Sequence, residues 1–192
     1  MRFRSESSLL QKRGYKLDQD LGEGSYAKVK SATWLKPGTD KPLKVALKII
    51  NESEVPQDFK EKFLPRELDI MKILRHSNVI RTMEIFQASK KIYLALEYAG
   101  HGDLLAYIQL RGPLKEIDAA TMFKQVVCGL QYLHRNGVVH RDLKCENILL
   151  SNNNTVKIAD FGFARRMGDR DLSMTFCGSA AYAAPEILQV SE

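Results

Sequence analysis

A series of short polar motifs, occurring in a fixed order, most constrains what this chain can fold into. In chain order the motifs are LGEGSYAKV (21–29), VALK (45–48), a helix segment with Glu67, HRDLKCEN (140–147), DFG (160–162) and APE (184–186). Their polar residues can act together only if folding brings distant segments to one site. The sequence therefore requires a fold that gathers residues from both halves of the chain.

Composition indicates a globular protein. The 192 residues suit one ordinary domain, or one and a half lobes of a larger one. Hydrophobic residues make up 44% and charged residues 27%, unlike a disordered chain. The formal charge of +6 is compatible with nucleic acid, but the basic residues form no long run and are not interleaved with aromatic ones. We therefore expect a solvated basic surface and no nucleic acid partner.

Cysteine usage and hydropathy point to an intracellular location. The three cysteines (Cys128, Cys145 and Cys177) are widely spaced and fit no zinc pattern, which favours free thiols in a reducing compartment. No apolar stretch is long enough to cross a bilayer. We expect a cytoplasmic protein without a membrane partner.

A strand-rich half precedes a helical half. Residues 1–14 are predicted to form a flexible tail, and residues 15–50 favour strands. A helix is predicted over 58–75, with a kink or the true helix start at Pro65. Further predicted elements are strands at 80–87 and 91–98, helices at 103–109 and 118–135, and a hairpin of 148–150 with 155–159. This order predicts an α+β fold of two lobes with a cleft.

The glycine-rich segment is weak evidence by itself, because many glycines only make turns. It joins two strand-like segments instead of opening a helix, which favours a hairpin folded over phosphates. Gly22 and Gly24 would let the backbone approach an anion closely. Ala27 occupies the third position of the usual pattern, and Val29 would cover a base.

Lys48 has two interpretations. It could be an edge lysine that points to solvent, or a cation aimed into a cleft from the strand face opposite Leu47 and Ile49. In the second case it needs a carboxylate partner, for which Glu67 is the candidate. The spacing leaves that pairing open.

HRDLKCEN followed by DFG is the strongest chemical signal. Asp142 can accept or orient a hydroxyl proton, and Lys144 can neutralise a transferring phosphate. Asn147 and Asp160 supply the neutral and anionic oxygens that Mg²⁺ prefers. The pattern predicts phosphoryl transfer with a magnesium ion.

The segment 163–186 contains three hydroxyl residues, Ser173, Thr175 and Ser179. Thr175 is the favoured candidate for phosphorylation, by this chain or by an activating kinase, with Arg141 and Arg165 available to hold the phosphate. The alternative is that all three are ordinary polar loop residues.

With these motifs the chain resembles the protein kinase family over about residues 15–188, and Lys144 resembles the serine/threonine type. CGSAAYAAPEIL (177–188) and FLPRELDIMKILRHSNVI (63–80) are similar to the testis-specific serine kinases of the calcium/calmodulin-dependent group. The resemblance implies a cytoplasmic germ-cell enzyme that transfers the γ-phosphate of ATP to serine or threonine of protein substrates. It implies a kinase domain over 15–192, with a five-stranded N-lobe plus helix at about 15–97, a hinge at 97–100 and an incomplete helical C-lobe at 101–192.

The resemblance also implies roles for individual residues. The catalytic set is Asp142, Lys144, Lys48 and Glu67, and the metal ligands are Asn147 and Asp160. The residues expected to bind ATP are Leu21, Gly22, Glu23, Gly24, Ser25, Tyr26, Ala27, Lys28, Val29, Ala46, Lys48, Glu97, Ala99, Asp103 and Leu149. In this set Ala46 and Leu149 sandwich adenine, and Asp103 bonds the ribose. A regulatory column of Met71, Phe86, His140 and Phe161 is also expected.

A kinase C-lobe normally continues with several helices after the APE motif. We therefore expect this sequence to be a fragment, an incomplete gene product or a short splice form with a partly uncovered apolar core. The alternative function is a catalytically weak or inactive chain that acts as a binding module or decoy.

Overall fold

The computed structural model describes residues 6–24, 26–57, 60–61, 64–166 and 179–185. The chain divides into two compact units, one of residues 1–57 with 82–98, the other of residues 58–81 with 99–192. The helix at residue 67, predicted as part of the N-lobe, belongs to the second unit.

The described residues of the first unit form one α-helix and five strands: α1 (Glu6–Lys12), β1 (Tyr15–Glu23), β2 (Ala27–Trp34), β3 (Leu43–Asn51), β4 (Thr82–Ala88) and β5 (Lys91–Glu97). The strands form one antiparallel sheet in the order β1-β2-β3-β5-β4. This confirms the predicted five-stranded sheet.

Alternation along β3 sets the two faces of this sheet. Val45, Leu47 and Ile49 are buried in the hydrophobic core of the unit. Because successive side chains of a strand point to opposite faces, Ala46 and Lys48 lie on the face away from that core. The local sequence therefore separates a packing face from a face that carries polar chemistry.

The predicted flexible tail over residues 1–14 is wrong for residues 6–14. Leu10 of α1 is only 1% exposed and joins the core of the sheet. Glu6 accepts hydrogen bonds from Lys91 Nζ (2.6 Å) and from the Tyr93 hydroxyl (3.0 Å), and Arg13 pairs with Glu84 at 2.7 Å. The polar composition of the segment suggested a tail because it does not reveal that Leu10 is buried or that Glu6 and Arg13 form ion pairs with the sheet.

Four aromatic side chains stack behind the sheet, where α1 packs. Tyr15 stacks on Trp34 with ring centroids 5.2 Å apart, and Phe86 stacks on Tyr93 at 4.8 Å. Phe86 also lies 5.8 Å from Tyr15. Its ring therefore belongs to the core of the first unit, and the expected column with His140 stays a prediction.

In the part of the second unit that the structure describes, three named α-helices and two small sheets are present. Its elements are α2 (Leu64–Ile73), α3 (Leu104–Arg111), α4 (Glu116–Arg135), β6 (Val138–Val139), β7 (Ile148–Leu150), β8 (Val156–Ile158) and β9 (Arg165–Arg166). β6 pairs with β9, and β7 pairs with β8. Pro65 is the second residue of α2, a position that tolerates proline. Residues 60–61 are also helical and residues 62–63 are outside the described residues, so the choice between a kink and a helix start stays a prediction.

α4 packs by a narrow face. Gly129 lies against Asn78 and Ile158 so closely that an added Cβ would stand 2.8 Å from atoms of both residues. Leu133 is fully buried, whereas Phe123 is 68% exposed. The helix thus anchors the β7–β8 hairpin on one side and leaves apolar side chains in contact with solvent on another.

Candidate active site

HRDLKCEN lies between β6 and β7 in the second unit and includes a 3₁₀ turn at Cys145–Asn147. Arg141 has a φ of +66°, a left-handed conformation that is costly for a residue with a side chain. Its guanidinium Nε donates to the Phe163 carbonyl at 2.7 Å. This backbone turn directs the following residue, Asp142, into a buried polar network.

Asp142 is 7% exposed and is surrounded by donors. Its Oδ1 accepts from the Ser179 backbone N–H and from the Ser179 hydroxyl, each at 2.9 Å. Its Oδ2 accepts from Asn147 Nδ2 at 3.0 Å and lies 3.2 Å from Lys144 Nζ. The structure therefore brings three predicted site residues, Asp142, Lys144 and Asn147, into direct contact.

The same contacts set the protonation of Asp142. Burial acts to raise its pKa, but the hydrogen bonds from Ser179 and Lys144 and the Lys144 charge outweigh burial, so the pKa lies below its ordinary value. The carboxylate is ionised at neutral pH. It is an acceptor in a well-defined orientation.

Asn147 connects this network to the DFG motif. Its Nδ2 also donates to the Asp142 carbonyl at 2.7 Å, and its own carbonyl accepts from Ala159 N at 2.9 Å. Both amide hydrogens are thus engaged within the loop. The side-chain oxygen is the atom of Asn147 suited to a metal.

Asp160 follows Ala159 directly and has a φ of +61°. Its Oδ1 accepts a long hydrogen bond from Gly162 N at 3.4 Å. Among the described residues, no group of three or more histidine, cysteine, aspartate or glutamate side chains could hold a metal ion. A pair formed by an amide oxygen and a carboxylate is still compatible with Mg²⁺, because this ion keeps several water ligands and binds few protein groups.

His140 stabilises the HRDLKCEN loop through the two nitrogens of its buried ring. Its ring is 1% exposed, Nδ1 lies 3.3 Å from the Asp142 N–H, and Nε2 lies 2.9 Å from the Ala159 carbonyl. Since the Asp142 N–H requires an acceptor, Nε2 carries the proton and donates to Ala159. Burial lowers the pKa of His140. Phe161 meets the ring edge-on at 5.2 Å, so one neutral histidine positions the segments of both motifs.

Glu67 lies in α2 and is 3% exposed. A Cβ added to Gly162 would stand 3.9 Å from its Oε2, which places this carboxylate near the DFG glycine. Lys48 belongs to the first unit, on β3 opposite Val29 and Leu94. The pairing of Lys48 with Glu67 stays a prediction.

The glycine-rich segment forms the predicted hairpin of β1 and β2. Gly22 is opposite Val29, Glu23 is opposite Lys28, and Gly24 N donates to the Ala27 carbonyl at 2.8 Å. Glu23 and Lys28 form an ion pair at 2.8 Å across the two strands. Ser25 is outside the described residues. The described residues thus have the hairpin geometry expected of a phosphate cover.

The other predicted nucleotide residues belong to both units, and each unit is described by itself. In the first unit, Ala46 and Glu97 lie on the paired strands β3 and β5. In the second unit, Asp103 forms an isolated antiparallel bridge with Leu149. Asp103 also caps α3, with its Oδ1 accepting from Ala106 N at 2.8 Å. Within the second unit, the residues expected to contact ribose and adenine are therefore neighbours.

Ser179 is the site residue whose role the sequence did not reveal. The sequence suggested a loop hydroxyl or a phosphorylation site. In the structure, its hydroxyl donates to Asp142 Oδ1 and accepts from Lys144 Nζ at 2.8 Å. Its position shortly before the APE motif was the available signal, but spacing does not say what a loop serine contacts. The candidates Ser173 and Thr175 lie outside the described residues.

Comparisons with known proteins show the family of the chain. The sequence profile of the protein kinase domain matches residues 15–192, and the chain belongs to the protein kinase family. It is 48% identical over 190 residues to testis-specific serine/threonine-protein kinase 1 of Mus musculus, covering 96% of this chain and 51% of that protein.

Other relatives give similar results. Testis-specific serine/threonine-protein kinase 3 of Mus musculus is 48% identical over 179 residues, covering 92% of this chain and 65% of the relative. The SNF1-related protein kinase catalytic subunit alpha KIN12 of Arabidopsis thaliana is 41% identical over 174 residues, covering 91% of this chain and 34% of that protein. The predicted resemblance is confirmed, and the chain spans about half the length of the first of these relatives.

No helix in the described part of the chain has both the length and the apolar character needed to span a membrane.

Proposed function

We propose that this chain is an ATP-dependent protein serine/threonine kinase. The observation that supports this most strongly is the network around Asp142, in which one ionised carboxylate contacts Lys144, Asn147 and Ser179. Such a carboxylate can orient a substrate hydroxyl and accept its proton, and the adjacent ammonium group can stabilise charge on a phosphoryl group.

The reaction is a transfer of the γ-phosphoryl group to a serine or threonine hydroxyl. The bond from the γ-phosphorus to the bridging oxygen of ATP breaks, a bond to the hydroxyl oxygen forms, and the hydroxyl proton passes to Asp142. Lys144 faces the same carboxylate at 3.2 Å and neutralises negative charge near the transferred group. The products are ADP and a phosphoserine or phosphothreonine.

ATP is bound by residues of both units. In the first unit, the hairpin of residues 21–29 covers the phosphates, Ala46 contacts adenine, Lys48 binds phosphate, and Glu97 contributes to adenine recognition. In the second unit, Ala99, Asp103 and Leu149 complete the binding of adenine and ribose, and Glu67 orients Lys48. Support comes from the hairpin register and from the Asp103–Leu149 bridge.

Asn147 and Asp160 are the residues proposed to hold Mg²⁺. The Asn147 amide nitrogen is already engaged with Asp142, which leaves an oxygen for the ion, and Asp160 supplies a carboxylate. When bound, Mg²⁺ neutralises the phosphate oxygens of ATP.

The biological setting belongs to the same proposal. Relatives named for testis-specific expression support a cytoplasmic enzyme of male germ cells that acts on protein substrates. Phosphorylation at Thr175 by an activating kinase is proposed on its sequence position between the DFG and APE motifs. The charge distribution gives no reason to propose a nucleic acid partner.

Phosphate transfer from γ-labelled ATP to a general protein substrate tests the proposal, with the wild type and Asp142→Asn compared. The amide is nearly isosteric with the carboxylate but cannot accept the proton. We expect label on serine and threonine with the wild type and a loss of at least about a hundredfold in the variant. Equal incorporation of labelled phosphate with both proteins would contradict the proposed kinase activity and favour the alternative of a binding module or decoy.

A further inference from the structure

The segment of residues 99–104 is fastened to the β7–β8 hairpin within the second unit. His101 N donates to the Leu150 carbonyl at 3.0 Å, and Leu150 N donates to the Gly102 carbonyl at 2.8 Å. The next residue pair is the bridge of Asp103 with Leu149. The backbone of residues 101–103 is therefore hydrogen-bonded to β7 and ends in an isolated bridge.

Side chains add a second fastening at the hairpin turn. His101 Nδ1 lies 2.8 Å from Asn154 Oδ1, and because an amide oxygen can only accept, the histidine donates. At the other side of the segment, the Asn152 Oδ1 occupies the space that a Cβ at Gly100 would need. The hairpin turn thus holds the segment through two asparagines.

The turn that presents Asn154 is itself well ordered by hydrogen bonds. Asn154 has a φ of +56°, a conformation that asparagine tolerates better than most residues. Its N–H donates to the Ser151 carbonyl at 2.9 Å, and the Ser151 hydroxyl accepts from Thr155 N at 3.1 Å. Asn154 is therefore a fixed acceptor for His101.

We propose that His101 and Asn154 are positioning residues for the nucleotide. They touch neither the reacting atoms nor the phosphates, but they fix the segment that carries Asp103 against β7, which carries Leu149. This inference rests on the proposed function, in which Asp103 bonds ribose and Leu149 contacts adenine. Fixing these residues before binding lowers the ordering cost of binding.

Loss of these two residues should weaken only the contacts made to the adenosine part of the nucleotide. The clasp, defined as the His101–Asn154 hydrogen bond, supports only the ribose and adenine contacts. Breaking the clasp should weaken the binding of adenosine and the binding of ATP by the same factor, roughly two- to tenfold for one hydrogen bond. Lys48→Met should weaken ATP while leaving adenosine binding unchanged.

The test is calorimetric titration of the full chain with adenosine and with ATP. The variants are His101→Ala, Asn154→Gly and the double variant. Glycine is chosen at residue 154 because it tolerates the positive φ of that residue. His101→Asn can still donate an amide hydrogen and should restore most of the affinity. His134→Ala, which removes an exposed histidine of α4, is the matched control and should bind like the wild type.

Support requires equal losses for adenosine and ATP, a double variant no weaker than either single variant, and rescue by His101→Asn. Wild-type affinity in both single variants, additive losses in the double variant, or a loss confined to ATP would overturn the clasp while leaving the proposed function intact. Failure of the wild type to bind either ligand would overturn the proposed function, and this inference with it.

Discussion

Replacing Ser179 with alanine removes one hydroxyl that contacts two catalytic residues. The hydroxyl donates to Asp142 Oδ1 at 2.9 Å and accepts from Lys144 Nζ at 2.8 Å. The backbone N–H of residue 179, which also donates to Asp142 at 2.9 Å, is retained in the variant. Ser179→Ala is therefore a local change in the charge environment of Asp142 and Lys144.

The expected size follows from these contacts. A hydrogen bond to a charged group is worth about 1.5–3 kcal/mol, and Asp142 is buried enough for water to replace the hydroxyl poorly. If this energy supports the orientation needed in the transition state, kcat should fall roughly ten- to a hundredfold. Ser179→Thr keeps the hydroxyl and should retain activity close to the wild type.

The pH dependence supplies a second readout. Hydrogen bonds from Ser179 and Lys144 hold the pKa of Asp142 below its ordinary value, although burial opposes them. Losing one bond raises that pKa, so the acid side of the pH–rate profile should move to higher pH in Ser179→Ala. The assay is phosphate transfer from labelled ATP over a range of pH. A wild-type rate and profile in Ser179→Ala, or an equal loss in Ser179→Thr, would refute this reasoning.

Two further predictions concern stability. Leu10→Ala should lower the free energy of unfolding by about 2–5 kcal/mol, because Leu10 is 1% exposed in the core. Gln11→Ala, on the exposed side of α1, is the control and should have little effect. Urea denaturation measures both variants, and equal stability of the two would instead indicate a flexible tail. Burial lowers the pKa of His140 from an ordinary value near 6.5, so the unfolded state takes up a proton at a higher pH than the folded state. The free energy of unfolding should fall as pH drops below about 6.5, more steeply in the wild type than in His140→Phe, and parallel curves would count against a buried neutral imidazole.

The sequence was sufficient where local chemistry decides the structure. Pro65 predicted a kink or a helix start, and it is the second residue of α2, within the first turn where proline is tolerated. One of the two interpretations of Lys48 placed it on the strand face opposite Leu47 and Ile49, and the burial of these two residues along β3 agrees with that face. HRDLKCEN predicted one site for Asp142, Lys144 and Asn147, and the structure brings these three side chains into contact.

The sequence was insufficient where a contact joins distant segments. The ion pairs of Glu6 with Lys91 and of Arg13 with Glu84 order a segment that looks like a polar tail. Phe86 stacks with Tyr15 because β1 places this tyrosine there, which no local pattern around residue 86 indicates. Ser179 is the same case at the site, since 37 residues separate it from Asp142.

The central claim is that residues scattered along the chain bind one magnesium–nucleotide complex. Its most direct test is the affinity of the full chain for ATP with and without Mg²⁺, measured for the wild type, Asp160→Asn, and the control Asp69→Asn, whose carboxylate is 65% exposed in a surface ion pair. The account predicts that Mg²⁺ strengthens ATP binding in the wild type and the control and has little effect in Asp160→Asn. An equal strengthening in all three proteins, or none in the wild type, would contradict it.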